Sequence, residues 1–256
     1  MESHDAQLAV HDRLWAWFET HKKQVIWGAV VVLAAGLVTS IVISVRNVRE
    51  ANANEALSRA IGNQRAAERL IELSTNAPAW KAAQLQQAQL KGAEELLKVA
   101  DDYANTDGGV RALLLGAAGL FTAEKYPEAK TQFDRFRKDY RDSPYASQAM
   151  FGAAACLHAQ GQTNEAVAAY NDIVKRFPGD NAGFRAKLAL ARLYEGQNKL
   201  SQARDLYEEL LRAFGNSSSV GTESYVHLRE LMTKHPELSP AGPAATNAPA
   251  LNVGQP

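Results

Sequence analysis

Between residues 108 and 216 the apolar positions recur on two scales. On the short scale they fall three or four apart, as at Phe133, Phe136 and Tyr140, which is helical spacing and not strand alternation. On the long scale the same columns return every 37 residues. Ala129 is followed by Ala166 and Ala203, Phe133 by Tyr170 and Tyr207, Phe136 by Ile173 and Leu210, and Tyr140 by Phe177 and Phe214. Upstream, Ala117, Ala154 and Ala191 keep the step, as do Leu120, Leu157 and Tyr194. Repetition at this period predicts a solenoid, in which each unit is too small to bury its own apolar face and does so by stacking. Every unit opens with an Ala-rich helix (VRALLLGAAGLFTAE, ASQAMFGAAACLHAQ, GFRAKLALARLYEGQ), turns, and continues into an aromatic-bearing second helix. The turns are expected at Glu124–Tyr126, Gly161–Thr163 and Gly196–Asn198. Pro144 and Pro178 are expected to stop the first two second helices, and Gly215 the third.

Moving back one period places Leu96, Val99 and Tyr103 in the columns. Residues 46–107 are therefore expected to hold a helical extension and a partial first repeat, whose first helix comes from about Asn52–Leu73 before a break at Ala77–Pro78. Residues 217–235 are expected to form a closing helix capped by Thr222. Residues 236–256 carry five of the nine prolines and no charge after Glu237, so they are read as a tail without a core.

Val25–Val45 is a different pattern: 21 residues with no charge. As a helix this run is about 31 Å long, enough to cross a hydrocarbon core. Lys22 and Lys23 precede it, Arg46 and Arg49 follow it, and Trp27 (with Trp15 and Trp17 upstream) is placed for the interface. It is longer than the apolar part of a signal peptide, 24 residues precede it, and TSIVISVRN offers no small-residue cleavage pattern, so an anchor is expected. Arg13, Lys22 and Lys23 on one side balance Arg46, Arg49 and Arg59 on the other, so charge does not choose an orientation. Gly36, Ser40 and Ser44 share a face that would let two such helices approach, which makes a homo-oligomer possible.

Composition narrows the chemistry. The 28 basic residues are matched by 28 acidic ones and interleaved with them, so nucleic acid is not an expected partner. Cys156 is the single cysteine and the six histidines are scattered, which leaves no intrachain disulfide and no expected metal or other cofactor. Cys156 and His158 lie two apart on one helix and point away from each other, so they do not make a catalytic pair, and Cys156 is read as core. Asn216–Ser218 matches a glycosylation sequon, relevant only in a eukaryotic secretory pathway. No catalytic signature stands out, and a non-enzymatic binding protein is expected; an enzyme with an unrecognised site is the rival of another class.

Ala154, Ala166, Tyr170 and Pro178 resemble the small–Ala–aromatic–Pro pattern of the tetratricopeptide repeat. The units are 37 residues long where the family has 34, and the extra residues are placed between units, at Arg141–Ser143 and Gly179–Ala182. Together with the apolar run this gives an all-α fold, an N-terminal transmembrane helix followed by a tetratricopeptide-like α-solenoid, and the resemblance implies that the first helices line a concave protein-binding groove. By position that groove presents Arg111, Leu114, Phe121, Gln148, Phe151, His158, Arg185, Leu188 and Arg192. The three arginines would favour an acidic peptide, whereas Phe121 and Phe151 could equally pack between repeats.

The layout as a whole, with a short segment (1–24) containing LWAWFETHKKQVIWGAVVVLAAG, one anchor (25–45) and three repeats (108–216), resembles the ancillary subunit of the bacterial Sec translocon. That resemblance implies an inner-membrane protein with a periplasmic C-terminal domain. Its expected partners are translocon subunits, periplasmic chaperones or other envelope proteins, and its role is to assist export. A scaffold for outer-membrane assembly or cell-division complexes is the alternative.

Overall fold

The computed structural model describes residues 2–74, 78–215 and 218–238. All regular structure among them is helical: α1 (Glu2–Leu73), α2 (Pro78–Asp102), α3 (Asp107–Thr122), α4 (Tyr126–Asp139), α5 (Ala146–Ala159), α6 (Thr163–Arg176), α7 (Asn181–Gly196), α8 (Leu200–Phe214) and α9 (Ser219–Lys234), with a 3-10 turn at Pro236–Leu238.

No proline interrupts residues 2–73, and α1 runs through them unbroken. Its two parts meet different surroundings. From Ile26 to Val45 the large apolar side chains stand exposed, Trp27 and Leu33 among them. Beyond Arg49, Ala53, Leu57 and Ala60 turn into the core against α2 and α3.

The recurring columns are the packed face of the second helices. Ala129, Ala166 and Ala203 are each fully buried where second helix meets first, and a longer side chain there would force the two apart. Phe133, Tyr170 and Tyr207 are buried with them, as are Phe136, Ile173 and Leu210, while Tyr140, Phe177 and Phe214 are half-buried at the helix ends. The core is three successive clusters, spanning α1–α5, α5–α7 and α7–α9.

The turn inside each unit repeats atom for atom. Glu124, Gly161 and Asn198 take left-handed backbone angles, with φ of 61°, 74° and 57°. The next amide of each donates to a carbonyl five residues back, Lys125 to Leu120, Gln162 to Leu157 and Lys199 to Tyr194, closing a Schellman motif. Between units the chain re-enters a helix through Thr106, Tyr145, Asp180 and Ser218. Thr106 and Ser218 accept from the amides of Gly109 and Gly221, each at 3.0 Å. At Gly183 a Cβ would sit 1.9 Å from the Phe177 carbonyl oxygen, and Gly221 meets Gly215 in the same way, so this close crossing excludes a side chain.

Several boundaries differ from the sequence reading. The closing helix is capped by Ser218, not Thr222, and begins at Ser219; the step from Gly183 to its counterpart Gly221 is 38 residues, one more than the period of the preceding units. α4 ends at Asp139, capped by Tyr140, before Pro144 is reached, and Pro144 instead lies just ahead of α5. Pro178 and Gly215 do follow the ends of α6 and α8 directly. Ala182 belongs to α7 and not to the preceding loop. Pro236–Leu238 form part of the fold, with the Leu238 carbonyl accepting from Arg204 at 3.0 Å; residues 239–256 lie outside the described residues, as do Ala77, Asn216 and Ser217.

The stack curves toward one side. α3, α5, α7 and α9 touch one another in succession, whereas no two of α4, α6 and α8 are in contact. The first helices therefore form the inner, concave face.

Candidate protein-binding recess

On that inner face a recess of about 300 Å³ opens between α5, α7 and α9. Its lining includes Phe151, Arg185, Leu188 and Arg192, all drawn from the sequence-derived set. Phe151 packs its ring against Tyr170 with centroids 5.6 Å apart, and the Arg185 guanidinium lies 4.4 Å from the centroid of the Phe151 ring. This stacking holds an exposed, planar donor fork over an aromatic floor. Burial pushes the Tyr170 hydroxyl up to about 12. Leu188 is only 6 % exposed and serves as floor rather than as a reaching side chain.

The other residues of that set are dispersed. Leu114 and Phe121 pack against the first core cluster, and Phe121 meets Tyr126 edge-on at 5.3 Å, so both mainly join helices. Arg111, Gln148 and His158 are exposed on α3 and α5 but do not line the recess. The three arginines do not form one cationic patch: α3 and α7 are not in contact, and Arg192 is ion-paired with Glu223 of α9.

Asn181, Ala189, Ser219, Val220 and Glu223 complete the lining and were not anticipated. Three of them come from α9, whose start had been placed too late. With a 38-residue step Glu223 falls at the position of Arg185 and Val220 at that of Ala182, a correspondence that was available once the extra residue was recognised. The α9 side of the recess is held by a polar seam: Tyr207 donates to Glu195 at 2.7 Å and stacks on His227 at 5.5 Å, and burial is the main reason its hydroxyl is held well above the usual range. Lys187, nearly buried on α7, donates to Glu209 of α8 at 2.5 Å.

Cys156 is fully buried, and burial pushes its thiol up to about 12, whereas His158 is exposed. No group of three or more potential metal ligands occurs among the described residues. In the apolar run, Trp27 is 70 % exposed and a Cβ added to Gly36 would meet nothing; Ser40 and Ser44 are exposed as well.

Residues 115–181 and, overlapping them, 157–221 match family models of the tetratricopeptide repeat. No curated protein matches the chain. Among solved structures the fold is similar to two crystal structures of nearly identical TPR-like repeats of a putative kinesin light chain from Podosopora anserina, one of them carrying a point substitution. They align with TM-scores of 0.52 and 0.51 at 16% identity, over 71% of this chain and 90% of theirs. At that identity the likeness is one of fold. The chain thus carries tetratricopeptide repeats, matched over residues 115–221, and with them the architecture of a scaffold for binding other proteins.

Proposed function

We propose that the protein is a single-pass, membrane-anchored scaffold whose recess receives a segment of another envelope protein, and that it assists protein export at the bacterial translocon. The observation that carries this reading is the Phe151–Arg185 pair on the concave face of a solenoid whose first helix continues into an uncovered apolar run. The layout resemblance adds the export setting, with the solenoid in the periplasm and translocon subunits or periplasmic chaperones as partners. Aromatic and Arg side chains in a partly enclosed pocket are the types that dominate interface energy. Arg185 is the cation offered to an acidic side chain of the incoming segment, while Arg192 is already neutralised by Glu223.

A photo-crosslinking residue at Ala189, on the recess wall, tests this in intact cells. Export components are expected in the crosslinked products, and F151A/R185A is expected to remove them. Recovery unaffected by that double substitution would sink the recess; products confined to division or outer-membrane assembly proteins would sink the export role. Proteolysis of the solenoid in intact cells with a permeabilised outer membrane checks its side of the membrane.

A further inference from the structure

A second recess, of about 520 Å³, lies where α1 leaves the apolar run. α1 lines one side with Arg46, Asn47, Arg49 and Glu50, and residues 104–106 of the α2–α3 loop line the other. Its walls are tied together. The Glu50 carboxylate accepts from the Asp107 amide at 2.9 Å and the Gly108 amide at 3.0 Å, and Arg49 Nη2 donates to the Asp102 carbonyl at 3.4 Å. Gly108 lies so close that a Cβ there would be 2.9 Å from the Ala53 backbone.

The charges in this recess are unequal in availability. Glu50 is engaged by the first amides of α3, whose helix dipole it complements. Asp101 is drawn to Arg135 at 2.7 Å, and neither Asp102 nor Asp107 lines the recess. Arg46 and Arg49, three apart and on one helix face, are both exposed and leave the recess cationic. At 1.5 Å per residue they stand about 2–6 Å beyond Val45. A bilayer's headgroup layer adds roughly 5–7 Å on each side of the hydrocarbon core, so both guanidiniums lie at the level of lipid phosphates.

We propose that this recess binds the phosphate of an anionic lipid headgroup, with Arg46 and Arg49 as donors and the α2–α3 loop as the wall that fixes its position. The inference rests on the membrane-anchor reading and is independent of the partner recess. A headgroup seated there joins the anchor, the loop and the bilayer at one point and fixes the tilt of the solenoid over the membrane.

The test uses the full chain in vesicles of phosphatidylcholine with phosphatidylglycerol, counting by native mass spectrometry the lipids retained on the released protein. The wild type is expected to favour phosphatidylglycerol about thirtyfold, on the scale of two juxtamembrane arginines. R46Q/R49Q is expected to lose that preference, and R46Q, which leaves the Arg49–Asp102 bond in place, to lose part of it. R59Q, higher on α1 and paired with Glu55, is expected to keep it. Equal retention by wild type and R46Q/R49Q would overturn the site alone. Inorganic phosphate held in neutral vesicles as firmly as the lipid would overturn the lipid assignment. Extraction of the chain by alkaline carbonate would overturn the anchor and the site together.

Discussion

At the scale of single residues, the packing between repeats leaves little slack. A Cβ on Gly152 of α5 would fall 2.4 Å from the Phe133 ring of α4. Gly152→Ala is expected to destabilise the protein by about 1–3 kcal/mol, the usual cost of overpacking, and thermal unfolding would show it. An unchanged midpoint would mean that Phe133 can move aside. Nothing in the sequence singled this glycine out, because its column reads Leu115, Gly152 and Ala189 and a small residue is ordinary in an Ala-rich helix. Cys156 was read as core from the same helix, and its burial is complete. Its thiol is raised from 9.0 to about 12, so it stays protonated and unreactive at pH 8. Alkylation is expected to be slow in the native protein and rapid after denaturation. A raised thiol keeps its proton in the folded state while the unfolded chain loses it, so this group's contribution to stability is full below about pH 9 and declines as the pH rises toward 12. In Cys156→Ala the alkaline loss of stability is expected to be shallower, as read by denaturant midpoints from pH 8 to 11.

At the scale of elements, the joint between α1 and α3 decides how the solenoid is carried. Glu50 adds to the Thr106 cap, satisfying two further first amides of a helix on another part of the chain. Glu50→Ala is expected to cost about 1–2 kcal/mol, comparable to losing a good cap. Hydrogen exchange at Asp107 and Gly108 would quicken well before global unfolding, and unchanged protection of those two amides would show that water replaces the carboxylate without loss. Within α1 the apolar run Val25–Val45 and the helix at about Asn52–Leu73 were legible as two separate patterns; that one unbroken helix joins them and takes in residues 2–24 is what the structure adds. Its bond to α3 was not legible, since residues 50 and 107 are brought together only when α2 folds back between them.

At the scale of the whole molecule, stability is shared between neighbouring units, so the last helix matters beyond its size. α9 buries Leu228 and Leu231 over Tyr207 and Leu210, and supplies Val220 and Glu223 to the recess. A chain stopped after Gly215 is expected to lose about 1.5–3 kcal/mol for each of the two leucines no longer buried. It is also expected to melt from its C-terminal unit while α1–α5 keep their order, and a single transition at the native midpoint would contradict nearest-neighbour coupling of this kind. Loss of the Ala189 crosslink in this truncation, with the remaining units folded, would separate α9's role in the recess from its role in stability.

The 37-residue period established the helices, the pairing within each unit and the buried columns, because burial on a repeated helix face leaves a mark at every return. The apolar run from Val25 to Val45 is equally local, and helix length alone connects it with a bilayer. Distances between units leave no such mark. A single extra residue before α9 shifts its register, brings Glu223 to Arg192 and closes the recess around Phe151 and Arg185. The same holds for Arg111: one dimension places it in line with Arg185, and the stacking of whole units, which keeps α3 and α7 apart, takes it out of the site.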